Sequence, residues 1–458
     1  MHKLSCREIL EATGGKLISG DDSKFFLHIS TDSRKIAAGD LFIPIVGEKF
    51  DGHVFINSAL EQGAVGAITQ KEIQISSDKT LILVDDTLKA LQKIASYYRE
   101  RFSIPFVGIT GSVGKTSTKD MIASVLDQKY RVLKTQGNFN NEIGLPLTIF
   151  NLESIHEVAV IEMGMSGFGE ISRLTAIARP DIAVITNIGL SHIEKLGSRN
   201  NILKAKLEIL EGLDEDGLVV LNGDDDLLSL QIGKLGYRTV SYGLSDNNDY
   251  QARNVENLGE EGTRFNIELS NELYTIHVPV PGIHNVYNAL AAIAVAIELG
   301  VAIEKAIDGI KEFCPGNMRL NIINRNGIKI INDAYNASPN SMEAALNVLF
   351  DIKQEGRTVA VLGDMLEMGD WAPDAHRGVG KYARDKGIDY IITVGKAAAD
   401  IANGALEGGA AKDCVKIFDS NQKAIELLKG FLKQGDTVLV KGSRGMKMEQ
   451  IVEALQVG

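Results

Sequence analysis

The sequence predicts an α/β protein of three domains, on three observations: a length of 458 residues, short apolar runs alternating with helical patterns from residue 104 onward, and a switch to strand-like alternation partway along. One hydrophobic core organises roughly 150 residues, so a chain this long is expected to divide into about three. Its composition, 44% apolar and 24% charged, is that of an ordinary globular protein. Divisions near residues 100 and 312 give expected domains 1–99, 100–312 and 313–458.

The first hundred residues mix short strands and helices around turns at Gly39-Asp40 and Asp51-Gly52 and carry no catalytic motif, as expected of a binding domain. In the middle, the runs 104–109, 157–162, 181–186 and 217–221 read as buried strands separated by amphipathic segments. After the first of them, Met121, Ile122, Val125 and Leu126 recur at helical spacing and give one apolar face to pack on a sheet. Between about 238 and 281 the pattern alternates, with strands at 264–269 and 274–280, and predicts a small antiparallel patch. A second doubly wound, Rossmann-like unit is expected from strands at 328–332, 358–362, 390–394 and 437–441.

The net charge of -12 is concentrated in residues 100–312, where 18 basic residues face 29 acidic ones. Such a balance speaks against a nucleic-acid partner, which calls for a basic face. No apolar run approaches the ~20 residues that span a bilayer, and residues 1–8 lack the apolar stretch of a signal peptide, so a cytoplasmic protein is expected. Cys6, Cys314 and Cys414 are far apart and share no ligand spacing, so no disulfide framework is expected.

The strongest motif is the segment Thr110, Gly111, Ser112, Val113, Gly114, Lys115, Thr116. A strand, a Gly-rich turn and a helix starting at Lys115 offer backbone N–H groups and a positive dipole end to ATP phosphates, with the Lys115 charge added. The Thr116 hydroxyl stands where it can ligate Mg²⁺. The loop departs from the generic G-x-x-x-x-G-K-[ST] pattern, because Ile109 occupies the first glycine position. Its plain alternative is a turn that merely joins strand to helix.

Several downstream residues could complete a site. Glu162 ends a predicted strand, where the ligand crevice of an open α/β sheet lies, and could meet a metal; otherwise it is a solvated strand-end acid. His192 follows another strand end and could ligate metal or touch phosphates, although a lone histidine is usually unremarkable. Helical spacing alone makes Lys206 a solvated surface lysine. Asn138, Asn140 and Asn141 concentrate amides in a loop suited to a polar, amide-rich ligand, or to Asx turns. Asp224, Asp225 and Asp226 read as a solvated turn. Asp333 could accept hydrogen bonds from ribose hydroxyls or a substrate amine, and Lys441 and Arg444 place two cations at an opening where negative charge could bind.

Together these segments resemble the Mur ligases over all three domains. The T-G-S-V-G-K-T loop and E-M-G-M-S-G-F-G-E-I from 162 carry the family resemblance, while N-D-A-Y-N-A-S-P from 332, G-D-M-L-E-M-G from 363 and K-G-S-R-G-M-K-M-E from 441 resemble the members that add D-alanyl-D-alanine. T-D-S-R from 31, containing Ser33 and Arg34, and D-G-H from 51 are similar to the family's UDP-sugar-binding segment.

The resemblance implies an N-terminal UDP-sugar-binding domain, a central P-loop ATPase-type domain and a C-terminal domain that binds nucleotide and incoming dipeptide. It implies a metal set of Thr116, Glu162, His192 and a carbamylated Lys206, with Lys115, Glu162, His192 and Lys206 catalytic. Against the reading from spacing, this makes Lys206 functional: an ammonium repels Mg²⁺, whereas a carbamate offers it anionic oxygens. Asn288 is implied at adenine, Arg319 and Asp333 at the nucleotide, and Asn336 and the loop with Lys441, Ser443 and Arg444 near the peptide substrates. Arg319 stands after Met318, whereas the family often has arginine straight after Pro-Gly.

The implied reaction joins D-alanyl-D-alanine to UDP-N-acetylmuramoyl-tripeptide through an acyl phosphate, using ATP and Mg²⁺, in a monomer that neither enters a membrane nor binds nucleic acid. Within the superfamily the competing reading is the ligase that adds the third amino acid, whose diaminopimelate-specific members carry Asp-Asn-Pro-Arg, which this sequence lacks. Folylpolyglutamate synthases share the ATP loop but not the segments at 332 and 441. From another class, a nucleotide-driven switch would hydrolyse ATP without needing an amino-acid acceptor.

Overall fold

The computed structural model describes residues 1–47, 50–75 and 78–457. Among them no helix is long and apolar enough to cross a membrane.

The N-terminal part opens with helix Cys6–Thr13, started by a capping box in which Ser5 and Glu8 satisfy each other's backbone N–H, and stopped by Gly14 at φ 70°. Its five-stranded sheet is mostly parallel, with only Lys16–Ser19 running against its neighbour. Helix Thr87–Arg99, capped by Asp86, leads out of this part. The Tyr98 hydroxyl donates to Leu152 O at 2.7 Å and Arg99 Nε donates to Ala178 O at 2.9 Å, so the helix is stitched to the central part of the chain.

The central sheet has seven strands, all parallel, in the spatial order Val132–Lys134, Val158–Glu162, Phe106–Thr110, Ile182–Ile185, Leu218–Asn222, Arg238–Gly243, Tyr250–Gln251. The chain winds to one side of Phe106–Thr110 and then to the other, so the order reverses at that strand and opens a crevice at its carboxyl end. Helix Lys115–Leu126 packs Met121, Ile122, Val125 and Leu126 into the core, as the spacing predicted. Behind it lies helix His284–Glu298, whose alanine-rich run 289–296 is wholly buried.

The alternating stretch from 238 is not all antiparallel. Arg238–Gly243 and Tyr250–Gln251 extend the parallel sheet, and only Arg253–Asn257, Thr263–Leu269 and Glu272–Val278 form the antiparallel patch. Arg238–Gly243 lies next to the sheet's edge, and its first residues are partly exposed, which lends a parallel strand the look of a half-solvated one. Ser270 and Asn271, both at positive φ, form the tight hairpin turn between the last two strands.

The C-terminal six-stranded sheet runs Asn321–Arg325, Ile328–Asp333, Thr437–Lys441, Thr358–Gly363, Tyr390–Val394, Val415–Phe418. Asn326-Gly327, both at positive φ, turn its one antiparallel pair, and the other pairs are parallel, the Rossmann-like arrangement expected. A continuous apolar cluster runs from Leu4 through Ile161 to Leu439 and joins all three parts of the chain.

Candidate active site

The phosphate loop is shaped by the residues just after strand Ile182–Ile185. Ser112 N donates to Asn187 O at 3.0 Å, Val113 N to Asn187 Oδ1 at 2.9 Å, and Thr186 Oγ1 to Val113 O at 2.7 Å. Gly111 has φ 150°, and a Cβ there would meet Thr186 Oγ1 at 1.9 Å, so only glycine fits. Gly114, at φ 84°, opens helix Lys115–Leu126 with no side-chain cap, leaving the first-turn amides available to an anion. Lys115 Nζ folds back to donate to Gly111 O at 2.8 Å. Desolvation in the crevice holds its pKa below the ordinary lysine value, with Glu162 opposing and Arg319 adding to the effect.

Ser112, Val113, Gly114, Lys115 and Thr116 line one wall of a cavity of about 830 Å³, with Thr110 and Gly111 buried behind them. Glu162 ends its strand in the same cavity, 2% exposed. Its Oε1 accepts from Asn140 Nδ2 at 2.8 Å, while Oε2 is buried with no hydrogen-bond partner among the described residues. A buried carboxylate oxygen left unpaired is costly unless something binds there. This orphaned oxygen, with the Thr116 hydroxyl and His192 on the same cavity, fits a divalent cation. Among the described residues no three His, Cys, Asp or Glu side chains cluster as metal ligands, so a cation here must also draw on other donors.

Lys206 is not a solvated lysine: it is 1% exposed on helix Arg199–Leu207, and no ion pair or hydrogen bond to its Nζ is found among the described residues. Burial first, and the Lys115 charge second, push its pKa well below the ordinary value, toward a neutral amine. Helical spacing missed this because spacing records which residues share a helix face, not whether that face is covered. His192 lines the cavity at φ 64°, with Nδ1 2.5 Å from Glu367 Oε2.

Asn138, Asn140 and Asn141 all line the cavity, but Asn141 Oδ1 is engaged, accepting from Ile143 N at 3.3 Å as an Asx turn and from Gly144 N at 2.8 Å. Asn288 is fixed beside Gly114: its Oδ1 accepts from Thr118 Oγ1 at 2.9 Å and its Nδ2 donates to Asn285 Oδ1 at 3.0 Å. Arg319 reaches from the C-terminal part, stacks 4.1 Å over Tyr335 and donates to Thr116 Oγ1 at 2.9 Å.

Lys441 and Arg444 are not the pair of open cations the sequence suggested. Lys441 Nζ is buried and donates to Asp333 Oδ2 at 2.5 Å and Asn336 O at 3.0 Å, whereas Arg444 pairs with Glu449 at 3.1 Å. Each cation is neutralised by a carboxylate the chain itself brings alongside. Asp333, Asn336 and Lys441 line the cavity; Ser443 and Arg444 do not. Ser443 Oγ instead accepts from Leu366 N at 2.9 Å.

Ser33 and Arg34 also lie outside this cavity. There Asp32 accepts from Arg34 Nε at 2.8 Å and Nη2 at 2.9 Å, and these bonds hold its carboxyl down at about 2. His284, not singled out from the sequence, lines the cavity with Nδ1 unpartnered among the described residues; desolvation lowers its pKa to about 4, with Asp333 opposing. Its position at the start of a helix, beside a glycine with φ 102°, was the available signal.

Comparison with known proteins gives this geometry a family. Residues 26–99 match the model "Mur ligase family, catalytic domain", 109–296 "Mur ligase middle domain" and 318–444 "Mur ligase, glutamate ligase domain". The chain is 44% identical to the UDP-N-acetylmuramoyl-tripeptide--D-alanyl-D-alanine ligase of Bacillus subtilis, over 99% of both chains. It is 35% identical to the Escherichia coli ligase of the same name, over 93% of each. Among solved structures it is similar to MurF from Acinetobacter baumannii, with TM-score 0.92, 32% identity and all of both chains covered. MurF from Thermotoga maritima in complex with ADP gives TM-score 0.84 and 30% identity, over 94% of this chain and 97% of that one. A nucleotide loop, a buried acid facing it and family likeness along the whole length lead to one conclusion: the chain belongs to the Mur ligase family.

Proposed function

We propose that the chain is an ATP-dependent ligase of peptidoglycan synthesis that joins D-alanyl-D-alanine to UDP-N-acetylmuramoyl-tripeptide, giving the pentapeptide, ADP and phosphate. The observation that carries this reading is the phosphate loop facing the orphaned Glu162 Oε2 across a cavity that the C-terminal Asp333 and Lys441 also enter. Full-length likeness to relatives named for this reaction supports the choice of substrates.

The terminal carboxylate of the tripeptide attacks the γ-phosphorus of ATP; a C–O–P bond forms and the bond to ADP breaks. The dipeptide amine then adds to the acyl carbon, loses its proton, and phosphate leaves from the tetrahedral intermediate. No protein nucleophile is needed, so the residues act by position and charge. Loop amides and Lys115 hold the phosphates, Asn288 lies toward adenine, and Arg319 and Asp333 hold the nucleotide from the C-terminal side. Asn138, Asn140, Asn141 and Asn336 meet the peptide, with the loop from Lys441 through Ser443 to Arg444 beside it. Ser33 and Arg34 hold the UDP-sugar.

Thr116, Glu162, His192 and carbamylated Lys206 would hold Mg²⁺, which supplies electrostatic stabilisation of the transferred phosphoryl. Burial lowers the Lys206 pKa and so favours the uncharged amine, the form that adds CO₂, which supports the carbamate. On this reading residues 1–99 bind the sugar nucleotide, 100–312 ATP and 313–458 the dipeptide, in a cytoplasmic monomer. Phosphate release is expected with UDP-N-acetylmuramoyl-tripeptide plus D-alanyl-D-alanine, and not with single amino acids or glutamate. Release indifferent to the dipeptide would sink the reading and favour a nucleotide switch.

A further inference from the structure

The segment after strand Thr358–Gly363 is fastened residue by residue. Asp364 Oδ1 accepts from Ala398 N at 2.6 Å, and its carbonyl from Ser443 N at 3.0 Å. Met365 N donates to buried His376 Nε2 at 2.9 Å, and Leu366 N to Ser443 Oγ at 2.9 Å. His376 is itself locked by Nδ1 donating to Ala372 O at 2.6 Å. Three consecutive residues are thus pinned so that the next, Glu367, stands at φ 61°, a backbone state costly for a non-glycine residue.

What this strained residue gains is a contact with the central part of the chain. Glu367 Oε2 lies 2.5 Å from His192 Nδ1, within ion-pair distance although off the line of an ideal hydrogen bond, and Glu194 N donates to Glu367 O at 3.4 Å. Close by, a Cβ at Gly369 would come within 3.0 Å of Glu194 Cγ, so the two backbones are in close packing. A carboxylate this close to Nδ1 favours the N–H on that nitrogen, and in the neutral imidazole the lone pair then lies on Nε2. Glu367 does not line the cavity, whereas His192 does.

The geometry points to Glu367 as a positioning residue that fixes the tautomer and orientation of His192 from the C-terminal part of the chain, so that the imidazole is set only when the two parts are docked. Carboxylates that orient a ligating histidine act in this way, and their loss lowers metal affinity or activity by about 10–100-fold. This inference rests on the ligase reading for its catalytic consequence, but the tautomer itself does not.

The test uses full-length enzyme with ¹⁵N-labelled histidine, comparing wild type, Glu367→Ala and Glu367→Gln; His192→Phe assigns the signal. In the metal-free, substrate-free enzyme the wild-type imidazole is expected as the Nδ1–H form, Glu367→Ala as a mixture of tautomers, and Glu367→Gln close to wild type because its amide oxygen still accepts. In turnover, Glu367→Ala is expected to lower kcat by about 10–100-fold with KM for ATP within about threefold of wild type, and Glu367→Gln to recover much of the loss. Identical His192 tautomers in wild type and Glu367→Ala overturn the inference, as does an unchanged kcat. Absence of dipeptide-dependent turnover in wild type strikes the ligase reading alone, and the spectra still decide the pairing.

Discussion

Lys206 shows how the fold can keep a single side chain at a thermodynamic disadvantage, which the proposed ligase chemistry would use. Its pKa is lowered in the fold, so the unfolded chain carries a proton there that the folded chain does not; stability at this residue is smallest below the lowered value and rises with pH up to the ordinary 10.5. Lys206→Met removes that burden and is expected to raise the melting temperature of the ligand-free enzyme by a few degrees at neutral pH while abolishing ligation. If Lys206 is carbamylated, ¹³C NMR of wild type supplied with ¹³C-bicarbonate is expected to show a carbamate carbon that this variant lacks. An unchanged melting temperature would mean that the amine is solvated after all. Composition and spacing cannot carry such a residue, because nothing local distinguishes a lysine on a covered helix face from one on an open face. Glu162 was more legible, since a strand end in an α/β sheet has few places to go.

At the scale of elements, the phosphate loop was readable because its demands are local: glycine where φ is positive, lysine and threonine where the helix begins. Gly111→Ala puts a methyl 1.9 Å from Thr186 Oγ1 at φ 150°, so the loop must move. We expect ATP affinity, measured by calorimetry, to fall by at least about tenfold with the remaining fold intact, since the strain stays within one turn. The strands at 390–394 and 437–441 agree to the residue with their predicted limits, being buried on both faces and bounded by turns. Arg238–Gly243 was misread because an alternating pattern records exposure, not the direction of the neighbouring strand. The loop at 364–367 was legible only as a family motif: its pins come from Ala398, His376 and Ser443, which no local pattern links to it.

For the whole molecule, the informative contacts are those between distant segments. Arg319 donates to Thr116 across 203 residues, and Asp333, Asn336 and Lys441 close a cavity whose opposite wall is the phosphate loop. Residues such as Ser443 and Arg444 sat close to the site in sequence yet turned out to tie down backbone or to pair with a neighbour, because which side of a loop faces the cavity is decided by docking. Leu88 brings the N-terminal part to the same cavity. Its walls therefore belong to no single part of the chain, and if one ligand draws those walls together it prepares the place of the next. Linkage makes such help reciprocal: whatever factor ATP adds to the affinity for the dipeptide, the dipeptide must add to the affinity for the nucleotide. With a non-hydrolysable ATP analogue, calorimetry is expected to return equal coupling factors in both orders of addition, about 5–150-fold, and Arg319→Ala is expected to shrink both together.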